Sequence, residues 1–210
     1  MGVSTHDIFG AAPRDEPATP GSYGRPPAGR PLPDGLRLGP VRLQVADLGR
    51  SIPYYQGTLG LHVLRQDGSS AQLGPHGAEQ VLVELVERPG IGPAPRRGRL
   101  GLFHFAIVLP DRPTLGRFLT HLSDLDVRVG AADHLVSEAL YLQDPDNLGI
   151  EVYADRPRSA WRRVGRELMM ATDPLDAIDI VASAGDTTWT GMPPGTTMGH
   201  VHLHVGDLAR

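Results

Sequence analysis

The chain of 210 residues contains no cysteine, so neither a disulfide framework nor a thiolate metal site is open to it. Any metal it binds must be held by histidine, aspartate, glutamate and water, and nine histidines are available. A strong charge of one sign is missing too. The formal net charge is −4 with both signs interspersed, which excludes the basic footprint of a nucleic-acid binder and a polybasic membrane anchor. No apolar run approaches the roughly 20 residues of a membrane span. The N-terminus lacks the charged start and apolar stretch of a signal peptide. These absences predict a cytoplasmic protein with no nucleic-acid partner and no membrane partner.

What is present is unevenly distributed. Residues 1–36 are rich in Pro, Gly, Ala and Arg and show neither helical nor strand periodicity, which predicts a disordered tail in which His6 and Tyr23 have no role. From Leu38 the texture changes. Val41, Leu43 and Val45 alternate with polar residues; a short helix follows from Ile52, with Ser51 as its cap and Pro53 in its first turn. Ala71–Leu73 and the apolar run Gln80–Val86 read as strands. The order then recurs after a connector at Arg88–Arg99. Leu102–Leu109 reads as a strand, Pro110–Pro113 as a turn, and Leu115, Phe118, Leu119, Leu122 and Leu125 recur at helical spacing. Strands follow near Val127, Ala139 and Ile150.

Three starts align without gaps: PVRLQVADL from Pro40, HFAIVLPDR from His104 and HVHLHVGDL from His200, each with an aspartate seven positions on (Asp47, Asp111, Asp207). The strand ends align as well, placing Glu84 opposite Glu151. Repetition of this kind predicts an α+β chain built of repeated βαβββ modules that pack around a common face. The predicted division is a module at 37–90, a second at 100–155, a linker at 156–197, and the first strand of a third at 198–210, where the chain stops short. The linker holds one expected helix, with Asp173 as cap, Pro174 at its first position, Leu175, Ile178 and Val181 on one face, and Gly185 past its end.

The stretch Asp133–Glu151, DHLVSEALYLQDPDNLGIE, concentrates the chemistry. It reads as strand, Asp-Pro turn and strand, a hairpin that would bring His134, Tyr141 and Glu151 together. These are an acid/base candidate, a hydrogen-bond donor and an anionic ligand.

Taken with LFHFAIVLPDR, IEVYADRPRSAW and GHVHLHVGDL, this stretch resembles the extradiol dioxygenase signature of the vicinal oxygen chelate superfamily, which embraces glyoxalase, bleomycin-resistance and extradiol dioxygenase proteins. The resemblance is to catechol-2,3-dioxygenase-like members with four modules, and it runs from about Leu38 to Arg210. One departure is Asn147, where the signature usually has Gly; Asn tolerates the left-handed turn conformation. The resemblance implies a metal held by a first-strand His from each of two adjacent modules and a last-strand Glu from one of them. Module one has Pro40 at the His position, so the implied set is His104, Glu151 and His200. It implies Fe(II), with Mn(II) as a substitute, and an aromatic diol and O2 as partners, His134 and Tyr141 acting on them; self-association is left open. His202 and His204 are expected in the pocket wall, Glu84 as structural, and His62, His76 and His121 as partnerless surface residues. Two other readings remain: a glyoxalase-like isomerase or lyase with a Zn or Ni site richer in carboxylates, and a metal-free protein that binds a small aromatic molecule.

Overall fold

A computed structural model describes residues 33, 35–95, 100–165 and 167–207. Nearly all of the expected tail, and the residues after Asp207, lie outside them.

The first half runs β1 (Val41–Val45), α1 (Leu48–Gly57), β2 (His62–Asp67), β3 (Ser70–Gly74) and β4 (Val83–Glu87). The second repeats it as β5 (Gly101–Leu109), α2 (Arg112–Asp124), β6 (Gly130–Asp133), β7 (Ser137–Gln143) and β8 (Gly149–Asp155). There follow a 3₁₀ turn (Arg158–Ala160), the two-residue strands β9 (Arg163–Val164) and β10 (Glu167–Leu168), α3 (Ala177–Ser183) and β11 (Thr197–His204). The chain is thus α+β, with two βαβββ units and one further strand. The sheets have matching strand order, β1-β4-β3-β2 and β5-β8-β7-β6, and β11 extends the second antiparallel to β5. Both units pair their first and last strands in parallel, with Arg42 opposite Glu84 in one and Ala106 opposite Glu151 in the other.

The recurrent aspartates have a shared local cause. Asp47 and Asp111 are N-caps: each side chain accepts from the backbone N–H three residues on, that of Arg50 or Thr114. Asp47, not Ser51, therefore caps α1, and that helix begins at Leu48. Pro53 falls inside it rather than in its first turn, at the cost of one intrahelical hydrogen bond. The expected turn at Pro110–Pro113 is in fact the capped start of α2.

Alternating residues of both sheets turn inward. Leu43, Val45, Leu73 and Leu85 from the first sheet and Phe105, Ile107, Leu140, Ile150 and Val152 from the second share one apolar cluster with Tyr55 of α1 and Leu115, Phe118 and Leu122 of α2. A buried polar link ties the halves together at the Asp-Pro turn between β7 and β8. Tyr55 donates to Asp144 (3.0 Å), and Asp146 accepts from the backbone of Ala46 (2.8 Å) and pairs with Arg50. Asn147 adopts φ +61° there, the conformation expected of it.

The 156–197 stretch differs from its reading as a linker with one helix. Its helix is capped by Asp176, not Asp173; it buries Ile180 and leaves Ile178 and Val181 exposed. Asp173 instead forms an isolated antiparallel bridge with Asp133 at the edge of β6. Gly116 on α2 is what lets α3 approach, since a Cβ there would lie 2.3 Å from the carbonyl oxygen of Ile180.

Candidate metal centre

The face of the second sheet turned away from α2 carries the polar residues. One row runs straight across it: His200 on β11, Ala106 on β5, Glu151 on β8, Tyr141 on β7 and Gly130 on β6 are successive cross-strand partners. His104 lies two residues from Ala106 on the same face, opposite His202. Glu151 on β8 therefore shares a face with His104 on β5 and His200 on β11, and on its other side its neighbour is Tyr141.

Two β-bulges shape this face. Gly199 is the extra residue of β11, and Phe103 that of β5, where His202 pairs with His104 and Leu203 with Leu102. A bulge re-aims side chains: Phe103 joins His104 on the site face, its ring stacked on His204 (centroids 4.3 Å apart) and close to His202 (4.9 Å). At the other bulge a Cβ on Gly199 would lie 2.4 Å from the Tyr153 hydroxyl, so any larger residue would displace that ring.

On this face three titratable groups meet in a triangle. His104 Nε2 lies 3.0 Å from Glu151 Oε2, His200 Nε2 lies 3.1 Å from the same oxygen, and the two nitrogens are 3.1 Å apart. His104 and Glu151 are buried, and His200 is half-buried, its side chain 44% exposed. Burial alone would raise the Glu151 carboxyl, but the hydrogen bonds and charges of His104 and His200 outweigh it and bring the group down to about 2. The triangle fits a bound cation better than a hydrogen-bonded cluster. If both imidazoles donate to Glu151 Oε2, two N–H groups are forced together across the third edge. One face of an octahedron with bonds of about 2.1 Å has edges of about 3.0 Å, against about 3.4 Å for a tetrahedron. Two imidazoles and one carboxylate also leave the opposite face open to exogenous ligands.

His134 and Tyr141 adjoin this triangle. His134 Nε2 is 2.6 Å from the Tyr141 hydroxyl, and its Nδ1 is 2.7 Å from the carbonyl oxygen of Ala171. Burial, then the charge of Glu151 and a hydrogen bond to it, hold the Tyr141 hydroxyl far above its ordinary range, so the group stays a donor at physiological pH. Ala132 and Ala139 line the floor beside Tyr141, with Phe103 and Tyr153 packed against them.

The sequence profile of the Glyoxalase/Bleomycin resistance protein/Dioxygenase superfamily matches residues 37–152. The chain belongs to this superfamily. The matched stretch contains His104, His134, Tyr141 and Glu151, while His200 lies beyond it. A member from Bacillus subtilis (strain 168), "Catechol-2,3-dioxygenase", is 44% identical over 177 residues. That alignment covers 83% of this chain and 61% of the relative, so the chain spans about three fifths of that relative's length. Among solved structures, the cppA protein from Streptococcus pneumoniae TIGR4 matches with a TM-score of 0.54 at 17% identity, over 81% of this chain and 62% of that one, a likeness of fold. No helix among the described residues is long and apolar enough to cross a membrane.

Other polar residues read from the sequence lie elsewhere. Glu84 faces Arg42 at 3.6 Å on the first sheet, where Pro40 holds the place that His104 holds on the second. His202 and His204 extend the aromatic wall beside Phe103; burial, then the neighbouring His104, His204 and His200, push His202 below the usual histidine range. His62 and His76 adjoin one another with ring centroids 5.3 Å apart. His121, expected as a partnerless surface residue, instead bonds the Gly57 carbonyl oxygen (2.9 Å) and stacks on Trp189. Phe103 and the Ala171 carbonyl are the members of the site that the sequence reading missed. A bulge and a backbone contact leave no periodic trace.

Proposed function

We propose that this chain carries the catalytic part of an extradiol ring-cleavage dioxygenase acting on catechol-type diols, with Fe(II), or Mn(II) in its place, held by His104, Glu151 and His200. The observation that carries this reading is the Nε2, Nε2, Oε2 triangle. Bound there, the metal would supply adjacent sites for both diol oxygens and for O2 and stabilise charge as it develops. The protein's share is positioning and proton handling. Glu151 would contribute the single negative charge to a bound cation, and the two imidazoles would hold that cation on one face of the sheet. Tyr141, kept protonated by its surroundings, presents a donor beside that face, and His134, whose Nε2 meets the same hydroxyl, can receive or return its proton. Phe103, Tyr153 and the two alanines make the surroundings of Tyr141 largely apolar, which suits an aromatic ring.

The glyoxalase-like reading calls for further carboxylates, and among the described residues the cluster contains one. The 44% identical relative named for catechol 2,3-dioxygenase supports the same choice. Cytoplasmic location belongs to this reading. The test is anaerobic reconstitution of the full chain with Fe(II), followed by oxygen-electrode and absorbance measurements with catechol. Oxygen uptake with a yellow ring-cleaved product is expected. Iron-loaded protein that consumes no oxygen with any catechol but isomerises a thiol adduct would overturn the dioxygenase reading.

A further inference from the structure

We propose that the segment Ala171–Asp173 acts as a clasp that fixes the tautomer of His134, and that Arg156 is a positioning residue that keeps the clasp closed. The inference rests on the role assigned above to His134 and Tyr141 and adds what sets the direction of the hydrogen bond between them.

A carbonyl oxygen can only accept. At 2.7 Å from the Ala171 carbonyl, His134 Nδ1 therefore carries the hydrogen, and in the neutral ring Nε2 is left with its lone pair. The 2.6 Å contact at Nε2 is then one in which the Tyr141 hydroxyl donates. The Tyr141 hydroxyl has one hydrogen and two acceptors in reach, His134 Nε2 and the carboxylate of its cross-strand partner Glu151, with which it can also hydrogen-bond. With the hydrogen committed to His134, the Glu151 lone pairs stay available on the side of His104 and His200. In the opposite tautomer Nε2 would donate to the tyrosine oxygen, whose hydrogen would turn to Glu151 and disperse the carboxylate charge where a cation requires it. A backbone carbonyl outside both βαβββ units thus sets how much of the Glu151 charge reaches the centre.

The carbonyl is held by little backbone structure of its own. Asp133 and Asp173 exchange two backbone hydrogen bonds (2.9 Å each), and no further rung continues the pairing. Side chains supply the rigidity. Asp133 accepts from the backbone of Leu135 (2.8 Å), which supports the left-handed conformation of that residue (φ +66°) in the turn carrying His134. Arg156 grips both Asp133 oxygens (2.6 and 2.8 Å) and reaches Glu138 (3.0 Å). Glu138 is buried and is also held twice by Arg112 (2.6 and 3.1 Å), which binds Asp179 at the start of α3 (2.8 Å). Charges alternate along this chain, Asp179, Arg112, Glu138, Arg156, Asp133, and each carboxylate is matched by a planar guanidinium. These hydrogen bonds do not include His104, Glu151 or His200, so the network can be disturbed without altering the triangle directly.

The test uses metal-free full-length protein labelled with ¹⁵N in its imidazoles, with His134→Gln to assign the resonance. Wild-type His134 is expected to carry its hydrogen on Nδ1 in roughly tenfold excess, the scale of one hydrogen bond. In Arg156→Met that excess is expected to fall several-fold, and Arg156→Lys, which cannot grip both oxygens, to lie between. A wild-type His134 protonated mainly on Nε2 overturns the proposal, as does an Arg156→Met protein that is folded and keeps the wild-type ratio. Should Arg156→Met fail to fold, Asp133→Asn, which keeps the backbone bridge, carries the comparison, and the wild-type tautomer decides by itself if both fail. Because the readout needs neither metal nor turnover, a protein inactive toward catechols leaves this result intact, and a failed tautomer assignment leaves the ring-cleavage reading intact.

Discussion

Two adjacent tyrosines on α1 should respond in opposite directions to loss of their hydroxyls. Tyr55 is fully buried and donates to Asp144, itself 4% exposed, across the junction of the two halves. Tyr54 sits beside it with a buried hydroxyl that has no partner among the described residues. Tyr55→Phe removes a hydrogen bond to a buried charged group, a loss of about 1.5–3 kcal/mol. The other Asp144 oxygen keeps the backbone N–H groups of Asp146 and Leu148, so the turn itself should survive. Tyr54→Phe deletes an unsatisfied polar atom, and should be neutral or stabilise by up to about 1 kcal/mol. The two variants should then differ by about 1.5–4 kcal/mol. In a chain of this length that separates their melting temperatures by roughly 3–16 °C. The measurement is thermal unfolding followed by circular dichroism at pH 7, repeated at pH 5. Burial raises the Asp144 carboxyl, and loss of Tyr55 raises it further, so protonation on acidification relieves the unpaired charge and the gap should narrow. Equal melting temperatures at pH 7 would refute the reasoning, since they would mean that Asp144 does not depend on Tyr55.

Three further outcomes can be checked. Glu151→Gln should abolish metal binding and activity together, measured by emission spectrometry and oxygen uptake; Tyr141→Phe should keep the metal and lower turnover by roughly tenfold to a thousandfold, and equal metal loss in both would make Tyr141 a structural residue. Gly116→Ala should destabilise the protein by a few kcal/mol in urea unfolding, because its Cβ collides with the Ile180 carbonyl and only backbone movement relieves it; an unchanged midpoint would mean that α3 moves freely. Asp133, held below the usual carboxylate range chiefly by hydrogen bonds from Arg156, and Asp111, held low chiefly by the Thr114 hydroxyl, contribute stability that is complete above about pH 4 and disappears as pH falls through their folded values; unfolding free energy of Arg156→Met should fall less steeply over that acid range than that of wild type, and parallel curves would speak against it.

The architecture was legible because it repeats. Aligned starts at Pro40, His104 and His200, each with an aspartate seven residues on, mark first strands and, for the first two, the helix caps that follow. The hairpin pairing of Tyr141 with Glu151 follows from strand alternation around a recognisable Asp-Pro turn. Features that depend on tertiary position were not legible. Pro53 reads as a helix start by local preference, yet Asp47 begins the helix earlier. Phe103 reads as a residue of the face opposite His104 until the bulge turns it round. Asp144 and Asp146 read as turn residues, and their burial follows only from the approach of the two halves. Asp173 reads as a helix cap because Pro174 follows it, but its backbone is taken by Asp133.

The likeness of the two sheets gives the protein an internal control for its own chemistry. At matching rungs one sheet presents Pro40, Arg42 and Glu84, and the other His104, Ala106 and Glu151. Where arginine stands beside the glutamate, a fixed cation already answers its charge; where alanine stands there, the same charge is met by histidines around a space that a mobile ion can enter and leave. An exchange of side chains at two rungs, on an unchanged backbone plan, therefore separates a wall from a workplace. Ala106→Arg would be expected to place a fixed cation beside Glu151 and so close the centre to a mobile one.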